Sequence, residues 1–260
     1  MAPGNGGRLL SLDLWHTLVY LEPETEERYM REQVDLAERT LSAAPTAPGR
    51  PPLDDAQLRA AFEKVYAEAV AASQQGRSVG PAKQMEEAGA RTGRRANAQA
   101  YLRGLDELVA HTGFLPAPGA FDVVRKLRGE GWTTAVVSNT VGEPGASLRP
   151  VLDRLGLTPL VDRFIFSDEE PWTKPSPEIF REALRQTLIP PGRAVHVGDG
   201  WVDIEGARRA GLRAGILYTG LHRYGAKYRA LFLPEGWSNP PTPYRFERWP
   251  ELPAILERIL

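Results

Sequence analysis

The sequence contains no cysteine. A disulfide framework, a thiolate nucleophile and a cysteine-based metal centre are therefore all excluded. Neither sign of charge is in excess: 32 Lys and Arg stand against 33 Asp and Glu, a net charge of −1 with His neutral. Such a chain has no global basic field, which sets aside bulk attraction to nucleic acid or to an anionic membrane. Long apolar runs are missing too, since none approaches the roughly 20 residues that cross a bilayer. The opening Met1-Ala2-Pro3-Gly4-Asn5-Gly6-Gly7 lacks the charged and apolar regions of a secretory signal and reads as a flexible lead-in. These absences fit a cytoplasmic protein with no nucleic-acid or membrane partner. There is no internal repeat. With 42% of its 260 residues hydrophobic, the chain can build one large domain or two modest ones.

Two textures divide the chain. Between Pro23 and about Gly113 the pattern is helical. A helix is predicted over 24–43, with Glu-rich first-turn chemistry after Pro23. A Pro-rich break follows at 44–52. Asp54 is placed to cap a second helix, carried by Leu58, Phe62, Val65, Tyr66 and Val70 and ending near Gly76. Two more helices are predicted over 81–90 and 96–110. Their apolar stripes read as packing between helices.

Elsewhere short apolar runs alternate with amphipathic segments. Strands are predicted at 8–12, 133–137, 163–166, 194–197 and 214–218. Helices are predicted at 120–128, 148–155, 178–186, 204–210 and 252–259. This alternation implies a parallel sheet with right-handed crossovers. The first strand is separated from the rest by the helical block. The expectation is an α/β core over 8–20 and 115–260, with a helical insertion over 21–114. The tail from Leu221 reads as irregular. His222, Arg223, Tyr224, Lys227, Tyr228 and Arg229 mix basic and aromatic side chains there, a texture shared with nucleic-acid binders. Here it is read as a solvated surface loop wrapping the domain as far as Trp249.

Ligands of open α/β sheets bind beyond the carboxyl ends of the strands. Four polar signals fall at such ends: Asp13; Ser138-Asn139; Lys174 within Trp172-Thr173-Lys174-Pro175-Ser176-Pro177; and Asp199 with Asp203 in Gly198-Asp199-Gly200-Trp201-Val202-Asp203. Each alone is ordinary turn or capping chemistry. Their joint placement is far more specific. Converging carboxylates repel one another, and a hard divalent cation such as Mg²⁺ relieves the repulsion with oxygen ligands. The metal and Lys174 then neutralise an anionic substrate, which leaves Asp13 able to attack as carboxylate nucleophiles do. Ser138 and nearby backbone N–H groups can hold the transferring oxygens, and Asn139 offers a further amide donor.

In these motifs the chain resembles the haloacid dehalogenase-like (HAD) hydrolase superfamily. The likeness spans about 8–20 and 115–220, with four motifs in order. Pro118-Gly119, Val137-Ser138-Asn139, Lys174-Pro175 with Ile179-Phe180, and Gly206-Ala207 with Ala210-Gly211 carry it further. The resemblance implies a Rossmann-like core, a mobile helical cap inserted after the first motif, and Mg²⁺-dependent hydrolysis through an aspartyl intermediate. It implies that Asp13 is the nucleophile and that Ser138 and Lys174 bind substrate oxygens. Asp13, Asp199, Asp203 and the backbone carbonyl of Trp15 would then hold the metal. Most relatives of this layout act on small phosphorylated metabolites. The expected activity is hydrolysis of a small organic phosphate by a monomer or homodimer.

One position departs from the pattern. Phosphatases of the family carry a second acid two residues after the nucleophile, and here that position is Trp15, which has no acid to offer. General acid–base help is worth about 10²–10⁴-fold. Three readings compete. A phosphatase can draw its proton from elsewhere, with His16, Glu169 and Glu170 as candidates. A dehalogenase or phosphonatase needs no acid at this position. Against dehalogenation, the fourth motif keeps its metal-type acids. A phosphonatase needs a cap lysine, and Lys64 and Lys83 lie in no recognisable motif. The third reading is a catalytically impaired binding protein, which the joint presence of all five motif residues disfavours. Arg28, Arg31 and Arg77 in the insertion are read as surface residues. Three residues separate Asp199 from Asp203 where many relatives have four, so direct and water-mediated metal binding by Asp203 both stay open.

Overall fold

A computed structural model of the chain describes residues 7–224 and 242–259. The lead-in up to Gly6 and residues 225–241, with Lys227, Tyr228 and Arg229, lie outside the described residues.

The first strand, β1 (Arg8–Leu12), is buried on both faces. Leu10 and Leu12 point into one apolar cluster and Leu9 into another. That two-sided burial is the reason the run reads as continuously apolar rather than alternating. The chain then makes a two-residue strand, β2 (Val19–Tyr20), and enters four helices. These are α1 (Pro23–Ser42), α2 (Asp55–Gln74), α3 (Pro81–Thr92) and α4 (Ala98–His111). The Asp54 side chain caps α2, accepting from the Gln57 N–H, and Gln57 returns a bond to the Asp54 N–H. The four helices enclose an apolar cluster of their own, with Leu41, Phe62, Met85, Tyr101 and Leu105 at its centre. On leaving them, β3 (Leu115–Pro116) pairs antiparallel with β2, so the two crossings between insertion and core run side by side.

The rest of the core is α5 (Ala120–Gly129), β4 (Trp132–Ser138), α6 (Gly145–Arg154), β5 (Arg163–Phe166), α7 (Pro177–Thr187), β6 (Ala194–Gly198), α8 (Trp201–Arg209), β7 (Ala214–Tyr218), β8 (Arg245–Phe246) and α9 (Leu252–Ile259). Among the described residues the strands order as β5-β4-β1-β6-β7-β8, with every neighbouring pair parallel. The chain steps from β1 to one side, through β4 and β5, then returns to the other side at β6. The order therefore reverses at β1, and the crevice beyond its carboxyl end is the place where such sheets bind ligands. The fold is α/β with a parallel sheet and an inserted helical region.

The tail corrects one expectation. It is not a solvated loop up to Trp249. Arg245–Phe246 adds a strand to the sheet, Trp249 is fully buried, and its ring packs against Tyr218 and Phe246. Two helices also start three residues before their predicted onset. At α8, the Asp203 carboxylate accepts from the Gly200 N–H. At α6, Asp168 accepts from the Gly145 N–H. Both are carboxylates satisfying an amide at a helix start that has no partner within the helix.

Candidate active site

Asp13 is the first residue past β1, and its N–H still bonds to the Val197 carbonyl on β6 at 2.8 Å. The next residues turn back sharply. The Leu14 carbonyl accepts from the N–H groups of Leu18 and Val19, and His16 takes a left-handed backbone with φ of 53°. Ser138 ends β4, and Asp199 follows β6, so the strands on both sides of β1 deliver polar residues to the same crevice. Lys174 reaches it from the loop after β5. Gly198 makes room there, because a Cβ at that position would stand 2.2 Å from Asp203 Cγ. No larger residue fits without displacing the acid.

The charged groups are buried and joined. The Lys174 ammonium donates to Asp13 Oδ1 at 2.5 Å and to Asp203 Oδ1 at 2.7 Å, and Lys174 is only 1% exposed. The Thr17 hydroxyl donates to the other Asp13 oxygen at 3.0 Å. One oxygen each of Asp13, Asp199 and Asp203 lies within 4.8 Å of the others. Burial alone would discharge Lys174, but the charges of Asp13 and Asp203 hold its pKa above the usual lysine value. Burial would likewise protonate Asp203. Lys174 and His196 override it and hold that carboxyl well below its usual range. Asp13 is pushed up by burial, which Lys174 offsets only in part, and the Asp203 charge adds to the rise.

His196 was not foreseen. It lies within β6, fully buried, with Nε2 3.0 Å from Asp203 Oδ1 and Nδ1 2.9 Å from the Ser11 hydroxyl on β1. Burial lowers its pKa, which favours the neutral ring. A carboxylate only accepts, so Nε2 carries the proton and Nδ1 accepts from Ser11. Sequence carried a signal for this pair: each is a lone polar residue inside an apolar strand, and the parallel register sets Ser11 opposite His196.

The remaining sequence-based candidates separate. Ser138 is fully buried and its hydroxyl has no hydrogen-bond partner. Asn139, expected to offer its amide to substrate, instead commits both ends to the Lys174 backbone. Its Oδ1 accepts from the Lys174 N–H at 2.8 Å and its Nδ2 donates to the Lys174 carbonyl at 3.0 Å. His16 is buried against Glu26 at 3.0 Å. Glu169 is exposed and paired with Arg149. The charged neighbours of Glu170 are Glu182 and Arg185 on α7, together with Glu169. Arg28, Arg31 and Arg77, with Lys64 and Lys83, are exposed. His222 bonds to the Asp199 carbonyl at 3.0 Å, and the Arg223 guanidinium lies over the Tyr224 ring. The described part of the basic and aromatic tail is thus packed beside the acidic crevice.

The inserted helices rest on the same loops. Gln33 of α1 donates to the Gly142 carbonyl at 3.3 Å, and Gln84 of α3 to the Val141 carbonyl at 2.6 Å. Between α1 and this loop is a cavity walled by the Trp15 side chain, Tyr29, Gln33, Tyr66 and Glu143. Glu143 is a second residue the motifs did not mark. It is 4% exposed, and burial pushes its carboxyl up to about 8.

The donor set at the crevice suits a hard divalent cation, which prefers carboxylate oxygens. Asp203 already spends one oxygen on Lys174 and His196 and the other on the Gly200 N–H. Asp13 likewise accepts from Lys174 on one oxygen and from Thr17 on the other.

Residues 8–211 match the family model of haloacid dehalogenase-like hydrolases. A phosphoglycolate phosphatase of Cereibacter sphaeroides is 32% identical over 174 residues, which is 64% of this chain and 70% of that one. The human haloacid dehalogenase-like hydrolase domain-containing protein 3 is 38% identical over 97 residues, 37% of each chain, so the match spans little more than a third of that relative. Among solved structures, a HAD phosphatase from Thermococcus onnurineus superposes with a TM-score of 0.62 at 18% identity, covering 96% of this chain and 97% of that one. A 2-haloacid dehalogenase from Pseudomonas syringae gives 0.60 at 21% identity, covering 97% and 99%. At such identities the likeness is one of fold, and that fold is shared by proteins named for two different chemistries.

Proposed function

The chain belongs to the haloacid dehalogenase-like hydrolases, and on that premise we propose that it is a Mg²⁺-dependent phosphatase of a small organic phosphate. The single observation that carries the reading is the buried junction of Lys174 with Asp13 and Asp203, within reach of Asp199. A carboxylate held against an ammonium and a metal-type acid cluster is arranged to meet a dianion and attack it.

In this reading Asp13 Oδ attacks phosphorus as the bond to the ester oxygen breaks, that oxygen takes a proton from solvent water, and a second water then attacks phosphorus, giving its proton to solvent, to free phosphate and restore Asp13. Lys174 holds a substrate oxygen and keeps its charge throughout. Ser138 supplies a hydroxyl that has no protein partner to give up. Asn139 acts on the substrate indirectly, by fixing the Lys174 backbone. Mg²⁺, when bound, neutralises charge on the transferring group. Asp13, Asp199 and the Trp15 carbonyl would ligate it, with Asp203 as a further ligand reached directly or through water. The segment 21–114 is the cap and 8–20 with 115–260 the catalytic core.

A carbon–halogen or carbon–phosphorus hydrolase fits less well. A halide needs no metal to leave, yet the site gathers three carboxylates. A phosphonatase needs a cap lysine at the site, yet Lys64 and Lys83 are exposed. The test is a panel of organic phosphates, phosphonates and 2-haloacids, run with and without Mg²⁺. Mg²⁺-dependent phosphate release, lost by about 10³-fold or more in Asp13→Asn, is expected. Halide release without Mg²⁺, or full phosphatase activity after EDTA, would overturn it.

A further inference from the structure

The inserted helices touch the core in two ways. Onto the loop after β4 they lay single side chains, the Gln33 and Gln84 amides, against backbone carbonyls. Onto the loop after β5 they lay main chain on main chain. The Thr173 N–H donates to the Gly76 carbonyl at 3.2 Å, and the Ser78 N–H to the Pro171 carbonyl at 3.2 Å. These two bonds close an antiparallel bridge across Arg77 and Trp172. The Ser78 hydroxyl adds a bond to the Ser167 carbonyl.

The turn that makes this contact lies between α2 and α3 and is shaped for it. Gly76 has φ of 80°, a left-handed backbone that side-chain-bearing residues adopt only under strain. A Cβ there would also stand 2.9 Å from Ser176 Cβ and 3.2 Å from the Ser176 nitrogen. Glycine is thus required twice, once by the turn and once by the approach of the other loop.

The loop so held carries Lys174. β5 ends at Phe166, so the chain reaches Lys174 outside the sheet. Thr173 precedes the lysine, and Ser176, against which Gly76 packs, follows it by two residues. Ser73, near the end of α2 and 1% exposed, has its hydroxyl 3.4 Å from both the Thr173 hydroxyl and Asn139 Nδ2. Asn139 is the residue that fixes the Lys174 N–H and carbonyl. The Lys174 backbone is therefore gripped from two sides, by the core through Asn139 and by the insertion through Gly76 and Ser73.

Resting on the phosphatase reading, we propose that the turn 76–78 is a main-chain dock that positions Lys174, so that its ammonium meets the phosphoryl group only while the inserted helices are seated. Gly76 and Ser73 are positioning residues, acting through the Lys174 backbone. A catalytic group displaced by about 1 Å can lose about 10²-fold in rate. The dock makes a seated insertion and a placed lysine one event, and lifting the helices releases both.

Hydrogen exchange read by mass spectrometry on the full chain, without metal or substrate, tests the dock. In Gly76→Val the amides of 71–80 and of 167–176 are expected to exchange together, at least about tenfold faster, with β4 unchanged. The same variant is expected to lose about tenfold or more in kcat/KM for Mg²⁺-dependent phosphate release from acetyl phosphate. Because it can also lose rate by misfolding, a second experiment restores the dock. Arg77 and Trp172 share no hydrogen bond of their own, which makes them the closer kind of antiparallel pair, with Cα atoms about 4.5 Å apart and within reach of a disulfide. The chain has no other cysteine to interfere. Gly76→Ala combined with Arg77→Cys and Trp172→Cys is expected to be slow when reduced. Closing the bridge with oxidised glutathione is expected to bring the rate within about threefold of the reduced cysteine pair with Gly76 intact. A general packing loss would not reverse with the bridge. Exchange of 167–176 that stays unchanged in Gly76→Val, a bridge that does not form, or a bridge that forms and leaves the rate low overturns the inference and leaves the phosphatase reading standing. If the unaltered protein releases no phosphate from any compound, acetyl phosphate included, the phosphatase reading falls and the positioning role falls with it.

Discussion

Two buried polar regions lie side by side at the carboxyl end of β1, and they are built in opposite ways. Around Asp13 the groups bind one another: Ser11 to His196, His196 to Asp203, Asp203 to Lys174, Lys174 to Asp13, Asp13 to Thr17. Around Trp15 the pairing is looser: Trp15, Gln33 and Tyr29 turn toward the Glu143 carboxyl without strict hydrogen-bond geometry, and burial pushes that carboxyl up to about 8. A satisfied network is rigid and preorganised, which suits a step that must hold charge in one geometry. A loosely paired acid in a dry wall is instead held neutral by its burial.

Breaking the satisfied side is expected to cost most. Lys174→Met leaves Asp13 and Asp203 buried without their cation, and removing one partner of a buried ion pair costs about 3–5 kcal/mol. Urea unfolding reads it, and a loss under 1 kcal/mol would show that the junction is not a structural unit. The Glu143 side behaves differently because burial has already shifted its acid. Glu143 has a folded pKa of about 8 against an ordinary value of 4.5. A pKa raised on folding contributes stability that is full below pH 4.5 and is lost as pH rises through 8. Glu143→Gln has no proton to lose, so its stability relative to wild type is expected to grow between pH 5 and pH 8, by ~4 kcal/mol at the upper limit. Parallel pH profiles of the two melting curves would refute this.

Smaller effects sharpen the contrast. His196→Leu strands the Ser11 hydroxyl and removes one donor from Asp203, for about 1–3 kcal/mol. Metal affinity measured by calorimetry is expected to weaken with it, which a purely local packing loss would not do. At the other extreme, Arg149 and Glu169 form an exposed pair outside both regions. Arg149→Ala is expected to change unfolding free energy by under about 0.5 kcal/mol.

Much of the satisfied region was legible in sequence. Asp13, Ser138, Lys174 and Asp199 each follow or end a strand, and strand ends are visible as breaks in apolar runs. The insertion was legible as well, because Asp54 and the Pro-rich break punctuate it. The rest was hidden for physical reasons. His196 and Ser11 sit inside strands whose other residues are apolar, so only the register between them reveals the pair. Glu143 belongs to a loop with no periodicity and is made special by cap residues more than a hundred positions away, Gln33 and Tyr29. β2, β3 and β8 are two residues each, too short for alternation to show. The early starts of α6 and α8 depend on carboxylates reaching back to amides, a contact that propensity does not encode.

The central claim is that Asp13 carries the phosphoryl group during turnover. Acid-quenched mass spectrometry of the protein mixed with excess acetyl phosphate and Mg²⁺ tests it directly. The account predicts a phosphoryl adduct on the peptide containing Asp13, absent in Asp13→Asn and absent when Mg²⁺ is withheld. Sustained phosphate release with no adduct on that peptide, or an adduct that persists in Asp13→Asn, would contradict it.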